Sequence, residues 1–308
     1  MASLNIAVLG EIPEKRQSTA SALGKKSTPE DLTFYHTVFS GRKVNVVEPT
    51  SYPEKPLSLA YAINLSSYFI LVADQPSAAL GETLLALSLA GKGPGCVLSQ
   101  GDVSAYLSAL GLSHIPVFSD LSEAKQAALA FTPPVHNGPT KAYIDHSFEV
   151  KGLGAVALGY VARGNLKVHQ KIACHPPSKP LEIKSIQQND VDVEHAECFD
   201  RFGIRFKGLE SSELSRGTLL SDSAKSVNQI EATVTCPKFW KSPPGSNLHA
   251  VVGMQNISCK TDKPLLPGKD NEVLLEFHKP VFMDHDDVWL FDLNAKGLRL
   301  AGIAKEVA

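Results

Sequence analysis

The stretch IDHSFEVKGLGAVALGYVARG, Ile144 to Gly164, decides how the second half of this chain is read. Ala142 to Val150 and Ala155 to Val161 alternate apolar and polar residues across a glycine turn, the period of strands with one buried face. Lys171 to Ala173, Phe202 to Lys207 and Gly217 to Leu220 follow with the same alternation between Gly, Pro and charged turns, which predicts a β-barrel. From Asn228 onward a second all-β stretch is expected, with strands at Ile230–Thr235, Leu248–Met254, Glu272–Phe277, Val288–Asp292 and Leu298–Ala304. Little helix is expected after Phe131.

The region before the barrels has a different rhythm. Short apolar runs at Asn5–Leu9, Val44–Val47, Phe69–Ala73, Gly95–Leu98 and Pro116–Phe118 read as strands buried on both faces of a parallel sheet. Leu57–Leu65, Gly81–Leu89, Val103–Leu110 and Ser122–Phe131 carry helical spacing, with Asp102 and Asp120 near two of the starts. Pro133 and Pro134 then break both periods, because proline lacks the backbone donor and disfavours helical geometry before it. The expected fold class is therefore α/β plus all-β, with units at 1–138, 139–225 and 226–308.

A chain of 308 residues with 43% apolar and 20% charged residues is ordinary for a folded, soluble protein of two or three domains. A net charge of −2 gives no overall field for nucleic acid or membranes, although an average can conceal a local basic groove. The five scattered cysteines lack zinc or disulfide spacing and read as reduced thiols of a cytoplasmic protein. Met1 to Leu9 does not have the form of a signal peptide, and no membrane partner is expected. Asp284-His285-Asp286-Asp287 reads as a solvated turn rather than a metal site, and Trp240 as either a base-stacking or a barrel-packing residue.

The Ile144–Gly164 stretch resembles domain 2 of translational GTPases, with its strand, G-x-G turn, second strand and R-G turn. The likeness continues through Leu166–His169, Ile183–Gln187, Asp200–Gly208 and Ser215–Leu220, then through Leu266–Gly268, His278–Asp284 and Gly297–Gly302. Each motif is short, and their order and spacing carry the resemblance. Within the elongation factor Tu / SelB family, SelB is the nearest match. Asp145, His146 and Arg201 stand where SelB lines its aminoacyl pocket, Phe148 offers an apolar wall, and Lys184-Ser185-Ile186-Gln187 is similar to the R-S-I-Q of SelB, which adds Gln187. In that reading His146 and Arg201 present donors and positive charge to an anionic group such as a selenolate. The competing reading makes Asp145 and His146 strand-edge residues and pairs Arg201 with Asp200.

Against the same family, the first domain departs from its nucleotide motifs. In G-x-x-x-x-G-K-[ST] only Gly10 fits; Lys15, Arg16 and Gln17 fall at the glycine, lysine and hydroxyl positions. Pro13 deletes one amide donor, and Glu11 and Glu14 set negative charge where a phosphate would approach. Glu48-Pro49-Thr50-Ser51-Tyr52 stands for D-x-P-G-H, and Ser99-Gln100-Gly101-Asp102 for N-K-x-D, leaving Asp102 to read guanine. The resemblance thus implies a degenerate P-loop GTPase-like α/β domain followed by two β-barrels: a SelB-like paralogue that binds aminoacyl-tRNA or the ribosome without hydrolysing GTP. No cofactor is expected, since the GTP and magnesium motifs are degenerate. The alternatives are a divergent GTPase using Arg16 and Ser18, and a protein-interaction scaffold. SelB proteins often carry a further C-terminal domain and this chain ends at Ala308, so selenocysteine recoding by this chain alone is not expected.

Overall fold

The computed structural model describes residues 3–27, 30–152, 154–176, 178–241 and 247–307, so Met1, Leu153 of the G-x-G turn and Ala308 lie outside the described residues. The first sheet contains β1 (Leu4–Gly10), β2 (Lys25–Lys26), β3 (Thr33–Phe39), β4 (Arg42–Glu48), β5 (Tyr68–Val72), β6 (Gly95–Leu98) and β7 (Val117–Phe118), in the order β2-β3-β4-β1-β5-β6-β7. Five helices accompany it: α1 (Pro13–Leu23), α2 (Leu57–Asn64), α3 (Ala78–Leu89), α4 (Ser104–Ala109) and α5 (Leu121–Ala130). β1 explains why the apolar runs are unbroken: Leu4, Ile6 and Val8 pack in one core with residues of α1 and α5, while Ala7 and Leu9 join the other with α2 and α3. Both faces are covered, as a parallel sheet requires. Asp120 caps α5, accepting from the N–H groups of Ser122 and Glu123.

The sheet is not wholly parallel, which corrects the expectation. β3 runs antiparallel to β4 through a two-residue turn, Ser40-Gly41, with both φ values positive (49° and 78°), and β2 adds to its outer edge. The signal was present in TFYHTVF-SG-RKVNVVE, two alternating runs separated by a Ser-Gly pair.

The second unit is built from β8 (Lys141–Val150), β9 (Gly154–Arg163), β10 (Asn165–Lys167), β11 (Lys171–His175), β12 (Lys179–Gln188), β13 (Val191–Val193), β14 (His195–Glu197), β15 (Arg201–Phe206) and β16 (Leu219–Ser221). Six of these close into a ring, β11-β16-β8-β9-β15-β12, through the β11–β12 pairing, around Ile144, Ala157, Ile183 and Ile204. The third unit, β17 (Lys225–Thr235), β18 (Leu248–Val252), β19 (Gln255–Thr261), β20 (Asp270–Met283), β21 (Val288–Phe291) and β22 (Leu300–Glu306), is a closed six-stranded barrel. Trp240 is 4% exposed in its core, which settles its role as packing. Among the described residues the one helical turn after Phe131 is the 3-10 turn Ser211–Glu213.

One core crosses all three units. Tyr143 and Tyr160 of the first barrel, and Trp289, Phe291 and Ile303 of the second, pack with Ala60, Leu84 and Leu87 of the helices. Buried polar bonds fix the geometry of this junction. The Trp289 Nε1–H donates to Asn64 Oδ1 at 2.9 Å, and Asn64 Nδ2 donates to the Gly253 carbonyl at 2.8 Å. Lys141 Nζ lies 2.9 Å from Asp286, to which the Tyr143 hydroxyl also donates. Asp284 is 3% exposed and accepts from Arg163, Ser221 and Ser223, so the Asp284–Asp287 turn is an inter-barrel joint rather than a solvated turn. Arg163 and these hydroxyls outweigh burial and keep the Asp284 carboxyl below its ordinary pKa. At the edge between the first domain and the second barrel, Glu82 is 3% exposed and accepts from Arg299 Nη2 at 2.5 Å and from the N–H groups of Arg299 and Leu300.

Arg299→Ala would leave the Glu82 charge buried without its cation, a loss of about 3 kcal/mol for a pair of this type. A chemical-denaturation midpoint lowered accordingly, with an unchanged slope, is the expected result.

Candidate functional site

The carboxyl ends of the parallel strands are where an α/β sheet ordinarily receives a ligand, at the point where neighbours on either side of one strand diverge. Here that strand is β1, flanked by β4 and β5. Gly10 ends it with φ +143°, and a Cβ there would lie 2.4 Å from the Val72 carbonyl oxygen, so the turn demands glycine whatever it binds. Only Glu11 and Ile12 separate Gly10 from the first helical residue, Pro13.

Arg16 does not face this edge. Its guanidinium is fully buried and donates to the carbonyls of Gly10 (2.6 Å), Pro49 (3.2 Å), Thr50 (3.4 Å) and Tyr52 (2.7 Å), with Glu48 3.8 Å from its Nε. Burial lowers its pKa, and Glu48 is the strongest influence in the other direction. Tyr52, at the position of the family's hydrolytic histidine, is also fully buried; its hydroxyl donates to the Ala79 carbonyl at 2.7 Å and lies 3.3 Å from Glu82. Gln17 and Ser18 are exposed on α1. Asp102 is exposed and accepts from the Ser104 N–H at 2.9 Å, and these hydrogen bonds lower its pKa. A cleft of about 450 Å³ does open at the strand ends, between Lys15, Ser18, Asp74, Ser99 and Asp120. Gly10, Arg16, Gln17 and Asp102 do not line it, and its Lys15 is paired with Asp74 at 2.6 Å.

The first barrel tells the opposite story. Asp145, His146 and Phe148 on β8 and Arg201 on β15 line one cavity of about 340 Å³. β8 and β15 both flank β9, and the irregular register of β8 between Ile144 and His146 marks the position of Asp145. Arg201 Nη1 and Nη2 grip Asp145 at 2.5 and 3.2 Å, a two-point fork on a carboxylate that is 3% exposed. Arg201 therefore pairs with Asp145 and not with Asp200, which instead receives Ser3, Gln188, Lys43 and the Glu197 N–H. Gln187 lies elsewhere, bonded to Asp192 at 2.9 Å across the β12–β13 pair.

Four of the ten residues lining the cavity, Ser27, Glu30, Leu32 and Phe34, come from the first domain, which sequence reading missed. Phe34 on β3 lies flat against the Arg201 guanidinium, 3.5 Å from ring centroid to Cζ. Glu30 approaches His146 Nδ1 and Arg216 Nη2, each at 3.6 Å. Arg216 closes the seam: it forks onto Asp31, with Nη2 2.7 Å from Oδ1, and its Nε donates to the Asp145 carbonyl at 3.2 Å. Burial opposes charge on Arg216, but Asp31 outweighs it and holds the guanidinium above its ordinary pKa. Burial likewise opposes ionisation of Asp31, and the bonds from Arg216 and the Leu32 N–H hold its carboxyl below its ordinary value. All five cysteines are buried and free, and no described helix is long and apolar enough to cross a membrane.

An α/β domain followed by two six-stranded barrels is the fold shared with solved SelB elongation factors. The chain belongs to the elongation factor Tu / SelB family of translational GTPases, as a SelB-like member. It is 30% identical over 316 residues to an uncharacterized protein of Methanocaldococcus jannaschii, covering 99% of this chain and 100% of that protein. It is also 30% identical over 150 residues to the selenocysteine-specific elongation factor of the same organism, a match that spans 46% of this chain and 32% of that protein. Translation elongation factor SelB from Methanococcus maripaludis, crystallised with the GTP analogue GppNHp, shares the fold at a TM-score of 0.83 and 18% identity, over 100% of this chain and 79% of that one. No protein-family model matches the chain.

Because the folded pKa of Asp31 is depressed, its contribution to the seam is present at neutral pH and disappears as pH falls from the ordinary carboxylate value of about 3.9 through the lower folded one. In thermal melts across pH 2 to 7, Asp31→Asn is expected to be less stable than the parent at pH 7, with the two curves converging at the acid end. An equal gap at both ends would contradict the pairing.

Proposed function

We propose that this protein is a cytoplasmic, SelB-like elongation factor paralogue that binds the aminoacyl end of a charged tRNA, and through it the ribosome, with its first domain acting as a pseudo-GTPase. The division at 1–138, 139–225 and 226–308 is part of that proposal. The observation that carries it is that Arg201 of β15 meets Asp145, His146 and Phe148 of β8 at one cavity, although more than fifty residues separate it from them in sequence. The fold likeness to SelB supports the class of partner, and the M. jannaschii selenocysteine-specific elongation factor supports it in sequence over less than half of the chain.

The account of nucleotide follows from charge and space. Phosphate transfer needs a cation, a metal-binding hydroxyl and a positioned water acting together on one transition state. In this chain the cation at the lysine position donates to four backbone carbonyls inside the protein, and the tyrosine at the histidine position is buried beside α3. GTP and magnesium are therefore not part of the proposed activity. The divergent-GTPase alternative gains nothing from Ser18, which lines the strand-end cleft without Arg16.

The test is the rate at which an aminoacyl-tRNA ester hydrolyses. Purified protein is expected to slow it without added nucleotide, and Arg201→Ala, which removes the fork that positions Asp145 and the guanidinium under Phe34, to raise the protein concentration needed by about tenfold. Absence of binding to every charged tRNA and to ribosomes would overturn the reading.

A further inference from the structure

Both arginines of the cavity on the first barrel are committed to carboxylates of the protein before any ligand arrives, although arginine and histidine in one cavity suggest an anionic head. Arg201 is forked onto Asp145 and covered by the Phe34 ring; Arg216 is forked onto Asp31. Both guanidiniums are thus neutralised within the seam. Glu30 remains. Among the described residues its carboxylate has two ion contacts, His146 and Arg216 at 3.6 Å, beyond hydrogen-bond length, and its side chain is 41% exposed. The lining therefore carries two guanidiniums, both already paired, and two carboxylates, Asp145 and Glu30, of which Asp145 is gripped by Arg201 and Glu30 has no cation within hydrogen-bond length among the described residues. The other surfaces it offers are the apolar faces of Phe148, Leu158 and Leu32.

We infer that Glu30, a residue of the first domain, sets the specificity of the cavity: it selects an aminoacyl side chain that ends in a hydrogen-bond donor, neutral or cationic, and rejects one that ends in an anion. This rests on the aminoacyl-tRNA reading above and assigns the substrate class within it. The physical reason is that a carboxylate at the cavity wall without a close donor gains from a ligand that supplies one, whereas a second negative charge beside it meets a carboxylate that no cation holds within hydrogen-bond length. The same reasoning gives the first domain a function that needs no nucleotide. Its β3 edge and the segment before it supply Phe34 and Glu30, so the pocket exists only when the domain is docked.

One tRNA body charged in turn with serine, lysine and aspartate separates side-chain preference from tRNA identity. The full-length protein is expected to slow ester hydrolysis of the seryl and lysyl forms at a concentration about tenfold or more below that needed for the aspartyl form. Glu30→Gln is expected to bring the three within about threefold of one another, and Glu30→Asp, which keeps the charge, to retain the order. An aspartyl form protected as well as the seryl form by the parent protein overturns the inference, as does a gap unchanged in Glu30→Gln. Protection of none of the three overturns the aminoacyl-tRNA reading itself, and the inference with it.

Discussion

The arrangement of this molecule depends on one guanidinium. Arg16 lies wholly inside the first domain and holds the turn after β1 to the loop after β4 through four carbonyl oxygens. Three of those carbonyls belong to the irregular loop after β4 and the fourth to Gly10, the last residue of β1; a buried carbonyl left without a donor carries a cost, and Arg16 supplies one to each. With the loop held, Tyr52 points inward to α3, where its hydroxyl reaches the Ala79 carbonyl and approaches Glu82. Glu82 in turn receives Arg299 from the second barrel. A chain of buried polar contacts therefore runs from the strand-end turn, where the family binds nucleotide, to the far barrel.

The consequence for function is mechanical. In our account the segments that would respond to a nucleotide are committed to carbonyls and carboxylates of the protein itself, so the three units hold one relation to each other. That relation brings Phe34 and Glu30 over the first barrel and completes the cavity around Arg201 and Asp145. The apolar core shared by all three units provides the bulk of the attraction, while Asn64, Asp284, Asp286 and Glu82 fix its geometry.

What could be read from sequence divides along physical lines. Strands buried on both faces leave unbroken apolar runs, and barrel strands leave alternation, so β1, β6 and the long strands β8 and β9 were placed close to their observed bounds. β3 carries alternation and a Ser-Gly turn, ordinary hairpin signals, but as a strand only half buried it has none of the unbroken apolar runs that mark its parallel neighbours. Partners were harder. Arg216 and Asp31 are 185 residues apart, and no local pattern links them. Arg201 adjoins Asp200 in sequence, yet Asp200 lies before β15 and receives Ser3, Gln188 and Lys43, while Arg201 reaches Asp145 two strands away. Gln187 is bonded to Asp192, its partner across the edge pair, and does not line the cavity.

The most direct test is the distance between the first domain and the second barrel with and without nucleotide. Spin labels at Glu123→Cys and Lys279→Cys are both on exposed positions, and the native cysteines are all buried. Pulsed electron paramagnetic resonance should give one distance distribution, unchanged by GDP or a GTP analogue with magnesium. A nucleotide-dependent shift of several ångströms, or a second population, would contradict the account.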